Sequence, residues 1–148
     1  MKRESEHPDI GYMITTISHG IRQYFGTVFS EYDVTFPQSR VLLRLFSQLE
    51  KADVNQRDLE FALGIKASSV SSLVRNLEQK GLIRCERMHS DSRSKRIIVT
   101  EKGLQLRDKL ESATDQAECR LTEGLTHEEQ IQLTNMLLRI MENLDGQD

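Results

Sequence analysis

The segment Ala67-Ser68-Ser69-Val70-Ser71-Ser72-Leu73-Val74-Arg75-Asn76-Leu77-Glu78-Gln79, closed by Lys80-Gly81, places Val70, Leu73, Val74 and Leu77 at the three- and four-residue spacing of an amphipathic helix. Ser68, Ser69, Ser71, Ser72, Arg75 and Asn76 face outward or flank the seam. Serine is a mediocre helix former, and exposed helix faces usually favour Glu, Lys and Ala. Short hydroxyls let a helix come close to a polyanion, donate to phosphates and base edges, and leave room in a major groove, while Arg75 reaches farther.

The flanking sequence fits the same purpose. Upstream, Val54 to Leu63 reads as a short helix with Leu59, Ala62 and Leu63 inward, and Gly64-Ile65 makes a tight turn. Downstream of Gly81 the period changes from helical to alternating. Leu82 to Arg87 and Arg96 to Thr100 read as two strands, and Met88 to Ser94 as a polar loop between them. Helix, turn, helix and hairpin in this order form a helix-turn-helix with a wing.

Farther out, Ile10, Met13, Ile14, Ile17, Ile21, Tyr24, Phe25 and Val28 mark a long amphipathic helix. Thr35-Phe36-Pro37-Gln38 opens another with a capping box and a first-turn proline, and Val41, Leu42, Leu45 and Leu49 continue its stripe. Thr100 caps a helix with Leu104, Leu110, Ala113, Ala117 and Leu121 along one side. Thr126-His127-Glu128-Glu129 is a second capping box and starts the last helix. A helix of roughly 20 residues is about 30 Å long, so the terminal helices overrun a small core. Most soluble oligomers are symmetric homodimers, which makes a second copy the expected cover for their apolar stripes.

The chain has 148 residues and a formal charge of −3, which argues at first against an anionic partner. The distribution reverses that reading. Residues 1–50 carry five basic and six acidic groups, 51–103 eleven and seven, and 104–148 four and ten, giving −1, +4 and −6. The positive block coincides with the winged segment. No apolar run suits a membrane span or signal peptide, and Cys85 and Cys119 form no metal-ligand spacing or disulfide framework, which points to a reducing cytoplasm. His7, His19, His89 and His127 are scattered, so no metal and no cofactor is expected. No phosphate loop, nucleophile elbow or argued carboxylate pair suggests an enzyme. There is no internal repeat and no long linker.

Val34 to Gln38, Gln56 to Leu59, Ser69 to Ile83 and Asp91-Ser92-Arg93-Ser94-Lys95-Arg96-Ile97-Ile98-Val99-Thr100-Glu101-Lys102-Gly103 together resemble the MarR family of bacterial transcriptional regulators, most nearly its multidrug-efflux repressor branch. The resemblance implies a mainly α fold with a small β-hairpin. In that fold a winged helix-turn-helix lobe (34–100) is flanked by dimerisation helices (8–32 and 101–145) within a single domain over 1–148. It further implies a homodimer on a pseudo-palindromic double-stranded DNA operator, acting as a repressor that a small lipophilic or phenolic effector releases. Carried over by residue, Arg93 enters the minor groove with Asp91 orienting it. Gln56, Lys66, Lys95 and Arg96 serve phosphates, and Ser68, Ser69, Ser71, Ser72 and Arg75 face the major groove. The effector candidates by position are Tyr12, Met13, Ile17, His19, Arg22, Phe36 and Met88, residue types that are more commonly core. This chain departs from the family in Glu60-Phe61, where alanine commonly follows the leucine, which predicts altered packing unless the carboxylate reaches solvent or a base such as Arg57 or Arg84. Two other readings are a winged helix that binds a protein partner and a thiol-redox-responsive regulator; for the latter, Cys85 and Cys119 are expected to be buried and inert.

Overall fold

The computed structural model describes residues 8–88 and 91–146, with the side chains of Met88 and of residues 91–94 outside the description. The elements in chain order are α1 (Ile10–Ser30), α2 (Phe36–Gln48), α3 (Gln56–Leu63), α4 (Ala67–Gln79), β1 (Ile83–Met88), β2 (Asp91–Val99), α5 (Glu101–Leu104), α6 (Arg107–Leu121) and α7 (His127–Asp145). One compact unit runs up to Ala113, and a second begins at Thr114. Among the described residues no helix is long and apolar enough to cross a membrane.

In the first unit α2 packs against α1, α3, α4 and β2. Its buried Val41, Leu42, Leu45 and Phe46 meet a core that includes Phe29, Leu59, Val70, Val74, Leu77 and Ile83. The entry to α2 is secured locally: Gln38 N–H donates to Thr35 Oγ1, and Thr35 N–H donates to Gln38 Oε1. Phe25 stacks on both Phe29 and Phe36 at centroid separations of 5.1 Å, tying the end of α1 to the start of α2. The second unit holds the box at Thr126 and Glu129 that opens α7.

Three boundaries differ from the sequence reading. The helix expected from Val54 begins at Gln56, because Asn55 takes the capping position in a box with Asp58. Val54 stays outside the helix, and its carbonyl accepts the Ile97 N–H at 2.7 Å. The second strand begins at Asp91 rather than Arg96, so residues 91–94, expected in the loop, belong to β2, with an irregular register between Arg87 and Met88. The helix expected after Thr100 is two, α5 and α6, separated at Gln105 and Leu106. Of its predicted stripe Leu110, Ala113 and Ala117 are buried, whereas Leu104 and Leu121 are exposed.

Two glycines are required where they stand. Gly64 ends α3 in the left-handed region (φ 63°), which costs a residue with a Cβ. Gly103 lies so close to the β1 entry that an added Cβ would meet the Leu82 carbonyl oxygen at 2.2 Å and Val99 Cγ1 at 2.7 Å. Both contacts lie in packed core, where overfilling costs about 1–3 kcal/mol. Gly103→Ala is therefore expected to lower the thermal midpoint by several degrees, measured by circular dichroism; an unchanged midpoint would contradict the close approach.

Candidate nucleic-acid interface

The outward face of α4 is set by what its inner face buries. Val70, Val74 and Leu77 are buried and Leu73 is half-buried, leaving Ser68, Ser69, Ser72, Arg75 and Asn76 exposed. Ser71, at the seam, is half-buried and donates its hydroxyl to Gln56 Oε1 at 3.2 Å. Gln56 is the first residue of α3, so this bond joins the first helix of the motif to the second. Lys66 is the N-cap of α4, makes no side-chain cap and is exposed. It thus adds a positive charge at the end of α4 where the first-turn N–H groups carry the positive end of the helix dipole.

The far end of α4 is anchored by a residue the sequence analysis did not single out. Lys80 Nζ donates to the Asp33 carbonyl (2.6 Å) and to Gln38 Oε1 (2.9 Å), and lies 3.7 Å from Asp33 Oδ1. Asp33 has φ 55°, a conformation in which aspartate is among the tolerated non-glycine residues. The corner between α1 and α2 is thus fastened to the end of the serine-bearing helix. Its partners stand 47 and 42 positions away in sequence, so no local pattern signals the contact. Lys102 Nζ in turn donates to the Lys80 carbonyl at 2.7 Å.

Beyond Gly81 the hairpin pairs antiparallel, with Ile83 opposite Val99, Cys85 opposite Ile97 and Glu86 opposite Arg96. Lys95 is exposed, whereas Arg96 is half-buried and ion-paired within the chain, 2.8 Å from Glu86 and 3.6 Å from Asp53. Asp91 and Arg93 have their backbone in β2, but their side chains, like that of Met88, lie outside the described ones. Glu60 is half-exposed and so escapes the penalty of a packed carboxylate, and the neighbouring Phe61 is 92% exposed.

Of the effector candidates, Arg22 and Phe36 line a groove of about 640 Å³ together with Arg40, Leu63, Ile65, Leu73 and three α4 serines, Ser68, Ser69 and Ser72. Arg40 stands 6.0 Å from the Phe36 ring centroid. Tyr12, Met13, Ile17 and His19 are not part of that lining and are exposed on the first half of α1. The cysteines depart from the expectation of burial. Cys119 is exposed and Cys85 half-buried. Burial and the neighbouring Glu78 carboxylate both push the Cys85 thiol above its ordinary pKa, which lowers its thiolate fraction. Among the described residues no group of three or more His, Cys, Asp or Glu side chains suits a metal ion.

This arrangement has counterparts in known proteins. The MarR family model matches residues 32–94, a span from the α1–α2 corner into the wing. The HTH-type transcriptional regulator MgrA of Staphylococcus aureus is 30% identical over 124 residues, 84% of this chain and 81% of that one. The S. aureus MepR–DNA complex superposes with a TM-score of 0.87 at 29% identity, covering 95% of this chain and 99% of that one. The transcription regulator MarR from Oenococcus oeni PSU-1 gives 0.78 at 30% identity over 90% and 99%. The chain belongs to the MarR family, whose members are transcriptional regulators and not enzymes.

Proposed function

We propose that the chain is a sequence-specific DNA-binding transcriptional regulator, working in the cytoplasm as a homodimeric repressor that a small lipophilic or phenolic effector releases from a pseudo-palindromic operator. The observation that carries this reading is the exposed polar face of α4, with Ser68, Ser69, Ser72 and Arg75 presented beside a hairpin. Its likeness to a protein solved as a DNA complex supports it further. Hydroxyls at this spacing permit close approach to base edges, and Arg75 has the reach for a bidentate contact with guanine. Arg93 suits a narrow minor groove, whose enhanced negative potential attracts arginine. Asp91 is assigned to orienting it, and Lys66, Lys95 and Gln56 to the phosphates.

Dimerisation is supported by apolar surface that one copy leaves in water. In α1, Ile10, Met13, Ile14 and Ile17 are exposed. In α7 no residue is buried, and Ile131, Leu133, Met136, Leu137, Leu138, Met141 and Leu144 are all exposed. An exposed apolar stripe along a helix, as each of these two carries, marks an interaction surface. Effector control is supported by the groove at Arg22 and Phe36: its size suits a small ligand, its apolar wall suits an aromatic body, and Arg22 and Arg40 suit an anionic or phenolic head. Because Ser68, Ser69 and Ser72 belong to the same wall, an occupant there competes for the helix that reads DNA.

Five outcomes test the proposal. In a mobility-shift assay on DNA flanking the chain's own gene, the wild type retards a specific fragment; retardation of none at low salt overturns the reading. Arg93→Ala weakens binding at fixed salt while the protein stays folded, and Arg75→Ala alters which sequences are selected, by about 1–3 kcal/mol per base contact. Lys66→Gln flattens the plot of log affinity against log salt by about 0.9 if it neutralises one phosphate. Light scattering at micromolar concentration returns the mass of two chains; a monomer contradicts the dimer.

A further inference from the structure

Arg96 was assigned to phosphate on its charge and position, but its nitrogens are directed elsewhere. Nε and NH2 both donate to Glu86 Oε2, at 3.2 and 2.8 Å, and NH1 lies 3.6 Å from Asp53 Oδ1. Glu86 is its cross-strand partner in the hairpin register, and the second Glu86 oxygen is taken by Arg84. Asp53 belongs to neither strand; it lies in the connection between α2 and α3, next to Val54, whose carbonyl receives the Ile97 N–H. Arg96 and Ile97 are consecutive. One guanidinium and the adjacent main-chain bond therefore join three parts of the chain: both strands of the wing and the connection that leads into the helix-turn-helix.

A planar guanidinium suits this work, since two of its nitrogens grip the Glu86 oxygen while the third faces Asp53 at ion-pair distance, where an ammonium would act as a point charge. To contact a phosphate, Arg96 would have to surrender partners that the fold already supplies. We propose that Arg96 is a positioning residue which, with Glu86 and Asp53, sets the direction in which the wing leaves the lobe, so that the wing meets DNA already aimed. This role rests on the DNA-binding reading above. It also explains two acidic residues in a segment that carries +4 overall: they hold an arginine in place. Pure electrostatics and positioning then differ in sign. If only charge mattered, neutralising Glu86 or Asp53 would tighten binding to a polyanion; if they aim the wing, neutralising them weakens it.

The test uses the full chain and its operator, followed by fluorescence anisotropy across a salt series, with amide hydrogen exchange on the free protein. Glu86→Gln and Arg96→Gln are each expected to weaken operator binding by roughly tenfold, the scale of a lost charge-assisted contact, with the salt slope unchanged. Arg96→Lys restores only part, because it keeps the charge without the fork. In the free protein, amides of Arg84 to Arg87 and Lys95 to Ile98 exchange faster in both Gln variants, while those of Leu42 and Leu77 do not change. Tighter binding by Glu86→Gln, or a salt slope flattened by about 0.9 in Arg96→Gln, identifies a direct phosphate contact and overturns the proposal. Unchanged wing exchange overturns it without reference to DNA. If the wild type binds no DNA, the functional reading fails, and hydrogen exchange still decides the brace.

Discussion

Burial of one face of α2 is the constraint on which the first unit is built. Val41, Leu42, Leu45 and Phe46 all point into the core, and at about 1.5–3 kcal/mol for each large side chain removed from water they outweigh any single polar contact in the lobe. Because α1, α3, α4 and β2 each pack on this helix, the positions of the serine-bearing helix and the hairpin are fixed by reference to it. The polar contacts then refine that frame. Lys80 ties the end of α4 to the α1–α2 corner, and Arg96 with the Ile97–Val54 bond ties the wing to the α2–α3 connection.

Charge counting by segment overstates the cations available to the proposed interface. Arg84 and Arg96 share Glu86, and Lys80 and Lys102 are committed to contacts within the chain. Among the described side chains of residues 51–103, Lys51, Arg57, Lys66, Arg75, Arg87 and Lys95 carry no ion pair, and of these Lys66, Arg75 and Lys95 stand at the start of α4, on its outer face and on the wing. The charges offered to a polyanion are thus fewer than the composition suggests, since Lys80, Arg84, Arg96 and Lys102 are engaged within the chain.

Legibility in the sequence followed the range of the interaction concerned. The boxes at Thr35 and Thr126, the α4 pattern and the stop at Gly64 were readable because their partners lie within four residues. The close approach of Gly103 to Leu82 was not, since its partner stands far along the chain. The start of α3 was misplaced by two residues because Val54 looks helical by hydrophobicity, yet its carbonyl is claimed by Ile97. Lys80 and Arg96 show the same limit at the site: the sequence displays a cation, and only the fold shows which anion or carbonyl already holds it. Cys119 looked like a buried small hydrophobe and is exposed, because the low polarity of a side chain does not by itself say which face of a helix it occupies.

The reading of DNA by a fixed helix and a pre-aimed wing is tested most directly by hydroxyl-radical footprinting on the fragment beside the chain's own gene. The expected result is two protected blocks related by a two-fold axis, centred about one helical turn (10–10.5 base pairs) or a multiple of it apart, each with protection extending into a flanking minor groove. Protection without two-fold symmetry, or protection that follows the protein onto any sequence equally, would contradict it.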